Sequence, residues 1–238
     1  MKTMRKLRDH LNASFDGSAP DAGREAHRLI REIAVPDGIH SLLASVLRDG
    51  SYLAEVAAAS YMHNNGFNKI VLATGAGGEY KLRLHLWRPH REPHSEHIHN
   101  HRWMFSSIVL AGEMQMEFFE LASDHSGGPQ LERHRYSRSL GSSRFGTQFV
   151  DRVKIRSTFA GTLGSGASYW LRGNVFHRIT VPREDLAATL VLQTAALGPD
   201  CEVLTNDPLG KESVVELKPF TVAELAEQID SLLRSSSL

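Results

Sequence analysis

His97-Ile98-His99-Asn100-His101-Arg102-Trp103, the stretch HIHNHRW, sets three imidazoles at every second position. An extended chain makes that spacing useful. On a strand, residues two apart point to the same face with Cα atoms roughly 6.6 Å apart. Two imidazoles so placed can lean together and reach one ion at about 2.0–2.2 Å. On a helix the same pair would point to nearly opposite sides. From Ile98 to Leu110 the chain is rich in aromatic and branched residues, which suit a strand. The stretch therefore reads as a strand carrying a chelating His-x-His pair.

Strand patterning continues outward on both sides. In YKLRLHLW, residues 80–87, Tyr80, Leu82, Leu84 and Leu86 alternate with Lys81, Arg83 and His85, the pattern of a half-buried strand. FNKIVLAT, residues 67–74, predicts a second strand, and the glycines of TGAGG between the two suit a hairpin. Met114, Met116 and Phe118 alternate with Gln115 and Glu117, and further short strands are expected at 131–138, 152–160, 167–171, 175–181 and 187–194. Many short strands joined by Gly, Ser and Pro clusters imply an antiparallel sandwich or barrel.

The flanks read differently. The first 65 or so residues are helical in character: one helix from Pro20 to Ile33, a break at Pro36-Asp37-Gly38, a resumption over Ile39–Leu47, and SYLAEVAAASYMH after Gly50. Asn64-Asn65-Gly66 closes this section with residues that tolerate left-handed backbone. At the C-terminus, Thr221 and Glu224 fit a capping box, and Val222, Leu225, Ile229 and Leu232 form one apolar stripe. The tail RSSSL is expected to fray. The chain thus divides into a helical segment (1–66), a β-barrel (67–205) and a C-terminal helix with tail (206–238).

Composition narrows the function. Twenty-seven basic residues balance 27 acidic ones, so nothing draws the chain electrostatically to nucleic acid or an anionic membrane. The basic opening MKTMRKLRD has no apolar segment behind it, and no apolar run approaches a bilayer span. A cytoplasmic location is the default expectation. Cys201 is the single cysteine, which excludes an internal disulfide and a thiolate-rich metal site. Histidines number 13, five of them between His90 and His101. His90 and His94, in a Pro- and Arg-rich stretch, read as ordinary solvated residues.

A pair needs a further ligand. His177 shares a strand face with Ile179 and Val181, where a titratable ring costs desolvation unless it stays neutral and has a partner. Gly112 lies eleven residues beyond His101, and His177 lies eleven beyond Gly166. These two stretches resemble the paired motifs of the cupin superfamily, antiparallel jelly-roll barrels with a central metal. The resemblance selects His99 and His101 with Gly112, leaving His97 outside the pair. Phe105, or its neighbour Met104, occupies the place expected for a ligand glutamate, and Arg172 stands where proline is common.

The hairpin followed by IHNHRW, the HRI at 177–179 and the later LAATLVLQTAALGPDCEVL are similar to the thiol dioxygenase branch, in particular the cysteine dioxygenases, over roughly residues 50–205. This likeness implies a mainly β, cupin-type antiparallel jelly-roll barrel with N-terminal helices and a C-terminal helix, holding metal on His99, His101 and His177. Three positions depart from the branch. Lys69 matches the arginine that holds the substrate carboxylate, Gln193 or Thr194 falls at the tyrosine, and no cysteine stands near Phe105 and Ser106. Lysine can hold an anion as a point charge but not as a fork. A related metal site with a substrate other than cysteine is expected.

The expected activity is that of a mononuclear non-haem iron oxygenase on a small anionic or amino-acid-like molecule, using O2. Fe(II) is the favoured cofactor, with nickel, copper, zinc or manganese as alternatives, since imidazole does not choose among many divalent ions. His97 is the candidate acid–base residue. Lys69, Trp103 and Gln193 are candidate substrate contacts, with a solvated lysine and ordinary core packing as the plainer roles of the first two. The alternatives are a metal-dependent isomerase, lyase or decarboxylase, or a barrel that binds metal or ligand without catalysis. Self-association through the helices is the one macromolecular contact foreseen.

Overall fold

The computed structural model describes residues 3–89, 94–122, 128–138, 144–182, 186–206 and 212–235. His90 and the last three residues of the tail lie outside the described residues.

Four helices come first: α1 (Met4–Ser14), α2 (Ala22–Ile33), α3 (Pro36–Arg48) and α4 (Gly50–Ala59). The Pro36-Asp37-Gly38 stretch is not a break but the opening turn of α3, with Pro36 in the first turn, where a missing N–H costs nothing. The helical section ends at Ala59 rather than near residue 65, and β1 (Tyr61–Met62) follows at once. The hairpin forms as expected from β2 (Asn68–Thr74) and β3 (Lys81–Trp87).

Next come β4 (His94–Ser95), β5 (Ile98–His99), β6 (Trp103–Ala111), β7 (Glu113–Ala122), β8 (Gln130–Arg138) and β9 (Arg144–Gly164). They are followed by β10 (Ser168–Leu171), β11 (Phe176–Val181), β12 (Ala187–Ala196), β13 (Asp200–Thr205) and β14 (Glu212–Glu216), and α5 (Val222–Arg234) closes the chain. The strand expected at 152–160 is part of the much longer β9. Pairing of β14 with β9 adds a strand in a region expected to be helix and tail.

The strands make two antiparallel sheets. One has the order β1-β2-β3-β12-β6-β10; the other runs β14-β9-β7-β11-β5-β13-β8, with β4 beside β11 and β8 also joined to β9. Gly112 and Gly166, at the β6–β7 and β9–β10 turns, have φ of +73° and +84°, a conformation that glycine adopts without steric cost. The result is a mainly β, antiparallel two-sheet barrel with helices at both ends.

The alternating pattern of β3 has a different meaning from the one expected. Leu82, Leu84 and Leu86 are fully buried, but beneath the helices rather than inside the barrel. They join Leu7, Ile30, Leu43, Ile229 and Leu190 in one apolar layer between the first sheet and α1–α5. The opposite face, Lys81, Arg83, His85 and Trp87, lines the barrel interior. Arg83 and Trp87 are only 5% and 2% exposed. The strand is therefore buried on both faces. The second sheet turns its outer face to water and covers it with cross-strand pairs such as Arg178–Glu117 and Arg133–Asp151.

In α5 the capping box forms as read, with the Thr221 side chain accepting from the Glu224 N–H and the Glu224 carboxylate accepting from the Thr221 N–H. Leu225, Ile229 and Leu232 are buried, but Val222 is 45% exposed and leaves the stripe.

Candidate metal centre

The strand expected to run unbroken through the histidines is interrupted. β5 ends at His99, β6 starts at Trp103, and the two belong to different sheets. Asn100 secures the crossing. Its N–H donates to the Glu202 carbonyl (3.0 Å), and its Oδ1 accepts from the Glu202 N–H (2.6 Å). The His101 N–H then donates to the Gly173 carbonyl at 2.7 Å. A Cβ on Gly173 would lie 2.5 Å from the His101 carbonyl oxygen, so the close approach that seats His101 depends on glycine.

His99 pairs across to His177 on β11. The crossing brings His101 to the same pair, with ring centroids 4.8 Å (His99–His101), 4.5 Å (His99–His177) and 5.1 Å (His101–His177) apart. One ligand nitrogen from each lies within 4.8 Å of the other two, a grouping that could hold a metal ion. His97 lines the same cavity, and its carbonyl faces His99 Nδ1 at 2.8 Å.

That contact decides which nitrogen is available. A ring nitrogen beside a carbonyl oxygen must carry the proton and donate it, which leaves the other nitrogen with its lone pair. His99 Nδ1 donates to the His97 carbonyl, and His177 Nδ1 donates to the Val175 carbonyl at 3.1 Å. Nε2 of each is thus the donor atom offered to an ion. Burial, the dominant cause, holds His99 down at about 4, His177 at about 3 and His101 well below the ordinary histidine value. At neutral pH all three are uncharged imidazoles, the state a divalent ion requires. The donor set fits such an ion.

The cluster opens on a cavity of about 440 Å³ inside the barrel. Lys69, Trp103 and Gln193 all line it. Lys69 lies opposite His85, with its ammonium 5.6 Å from the Tyr61 ring. Trp103 stacks on His101 at 5.4 Å and 23°, while the guanidinium of Arg83 sits 5.1 Å from the same indole. Gln193 is 5% exposed, and its Oε1 is buried with no hydrogen-bond partner among the described residues. His94 stands apart from the cluster, its ring on the Arg88 carbonyl.

Sequence reasoning missed four lining residues. Arg83 and His85 were visible as the polar positions of β3, but an alternating strand in a barrel with outer helices turns its polar face inward. His63 stacks on Phe67 at 4.6 Å, and Phe67 lies 4.5 Å from His85. Burial holds both imidazoles well below their ordinary pKa. Glu96 is 7% exposed, and burial raises its pKa to about 8. It sits one residue before the histidine run, and no periodic signal marks it.

No helix among the described residues is long and apolar enough to cross a membrane. No family model and no curated protein matches this sequence. Among solved structures, the chain is similar to a hydroquinone 1,2-dioxygenase in complex with Cd2+ and 4-hydroxybenzonitrile, at 14% identity and a TM-score of 0.32, over 53% of this chain and 63% of that one. It is similar to an RmlC-like cupin from Shewanella frigidimarina, at 13% identity and a TM-score of 0.33, over 58% of this chain and 83% of the other. It is also similar to a DMSP lyase from Ruegeria pomeroyi, at 15% identity and a TM-score of 0.34, over 60% of this chain and 53% of that protein.

Proposed function

We propose that this protein is a metal-dependent enzyme, a mononuclear Fe(II) oxygenase acting on a small anionic or amino-acid-like molecule. One observation carries the reading: three neutral imidazoles from two distant segments converge on a cavity inside the barrel. His99, His101 and His177 would hold the ion, and the cluster includes no carboxylate. Fe(II) on three uncharged nitrogens would supply open coordination positions and the electrons that reaction with O2 needs.

The remaining work falls to the chain itself. Lys69 brings positive charge to the cavity and favours an anionic substrate. Gln193 offers a buried amide oxygen to a substrate N–H or O–H, a pairing that recovers the desolvation it has already lost. Trp103 forms one wall and holds His101 by stacking. His97 orients His99 through its carbonyl, and its own ring lines the cavity as an acid–base candidate. The segments 1–66 and 206–238 act as cover and support for the barrel, and the enzyme works in the cytoplasm.

Anaerobic purification with metal analysis, followed by oxygen uptake with small anionic and amino-acid-like candidates, tests the reading. Iron near one per chain and substrate-dependent oxygen consumption are the expected result; turnover that proceeds without oxygen overturns the oxygenase assignment. A non-oxidative lyase, isomerase or decarboxylase is the second reading. The buried Glu96 carboxyl favours it, because such reactions move protons.

A further inference from the structure

Glu96 belongs to no sequence motif. Its backbone pairs with Ile179, two residues along β11 from His177, through its N–H to the Ile179 carbonyl at 3.0 Å. The carboxyl faces the same cavity as the three imidazoles. On that side the barrel is filled by Phe67, Trp87, Met114, Ile179 and Val181. Glu96 therefore shares one cavity with the imidazole cluster and with the apolar side chains of Phe67, Trp87, Met114 and Ile179.

Three features argue against a purely structural role. No ion pair among the described residues involves Glu96, although a buried carboxylate retained for stability needs one. The described residues lining the cavity include Lys69, Lys81, Arg83 and Arg102 but no second carboxyl. Burial outweighs both the Ile179 N–H and the charge of Lys69 in holding its proton. An acid in an apolar pocket near a reactive centre is the arrangement that lets a carboxyl deliver a proton at neutral pH.

We propose that Glu96 gives and takes a proton inside the cavity, acting on an anionic ligand held at the imidazole cluster. This rests on the reading of that cluster as a metal site. Delivery breaks the Glu96 O–H bond and forms one new bond to hydrogen on the ligand. It leaves a carboxylate, and the reverse transfer restores the acid; no electrons are exchanged. Lys69, reaching in from β2, favours the carboxylate left behind, and Tyr169 on β10 remains protonated because burial raises its pKa. The neighbouring imidazoles stay neutral.

Two measurements on the full chain test this. Infrared difference spectroscopy of wild type against Glu96→Gln at pH 7 should show one protonated-carboxyl band present only in the wild type. Calorimetry of oxalate binding to the zinc-loaded protein at pH 8.5, in buffers of different ionisation heat, should show uptake of about one proton per oxalate in the wild type and none in Glu96→Gln. Glu96→Asp should restore part of the uptake. Failure to lose the band, or equal uptake in wild type and Glu96→Gln, overturns the proposal. His177→Ala separates the two ideas. If that variant keeps both zinc and oxalate, the metal reading fails, while the infrared band still reports on Glu96.

Discussion

Glu96 is expensive for the fold. An ordinary glutamate loses its proton near 4.5, but here burial holds the proton to about 8. Between those values the folded chain binds a proton that the unfolded chain has released, so stability falls as pH rises from about 4.5 to about 8. The penalty above that window is on the order of 5 kcal/mol. Glu96→Gln should therefore melt several degrees higher than wild type at pH 8.5 and show little difference at pH 4.5. An equal gap at both pH values would contradict the account.

The cavity imidazoles run the other way. His63, His85, His99, His101 and His177 are all held below 6.5 by burial. As pH falls below about 6.5 the unfolded chain takes up protons that these folded residues refuse, and stability declines. Five such groups outweigh one glutamate. Urea midpoints of the metal-free protein should drop from pH 6.5 to pH 5; an unchanged midpoint would mean that these rings are solvated. The spacing of His99 and His101 was legible in the sequence because a chelating pair is a local pattern. Glu96 was not, since its character comes from burial inside the folded barrel, which no local pattern records.

At the scale of elements, the site depends on a sheet-to-sheet crossing rather than on one straight strand. β5 and β6 read as continuous because the residues from Ile98 to Leu110 all suit extended backbone. Propensity does not tell which sheet a residue pairs with. The pairing of Asn100 with Glu202, and of His101 with Gly173, makes that choice. Gly173→Ala should push the 101–103 segment away and weaken metal binding by at least about tenfold, in line with the loss of a ligand's support. Circular dichroism should remain native, and a variant that binds metal normally would show the close approach to be dispensable. The α5 cap was legible for the opposite reason: it needs only residues three apart. Thr221→Ala should cost about 1 kcal/mol in chemical denaturation without touching the site.

For the whole molecule, the helices and the barrel interior divide the two faces of the first sheet between them. Leu84 is fully buried against the helical layer, so Leu84→Ala should cost about 2–5 kcal/mol. Phe159, 46% exposed on the second sheet, should tolerate Phe159→Ser within about 0.5 kcal/mol. Comparable losses at both positions, measured by urea unfolding, would contradict this division of the core. The ion pairs on the second sheet, such as Arg156–Glu120 with side chains 65% and 59% exposed, keep that face in water and add little stability.

The sequence by itself determined the local and periodic features. These are a mainly β middle between helical ends, the hairpin before the histidines, the glycine turns, the α5 cap and a His-x-His pair with a distant third histidine. All but the third histidine are written within a few residues, at the repeat of a strand or helix; His177 was singled out by the second of the paired motifs. Only the tertiary structure decided which face of β3 looks inward, where the chain leaves one sheet for the other, and that Glu96, His63 and His85 share a cavity with the imidazole cluster. The reason is physical: alternation gives a strand two faces, and only the layers that pack against those faces determine which one meets the interior.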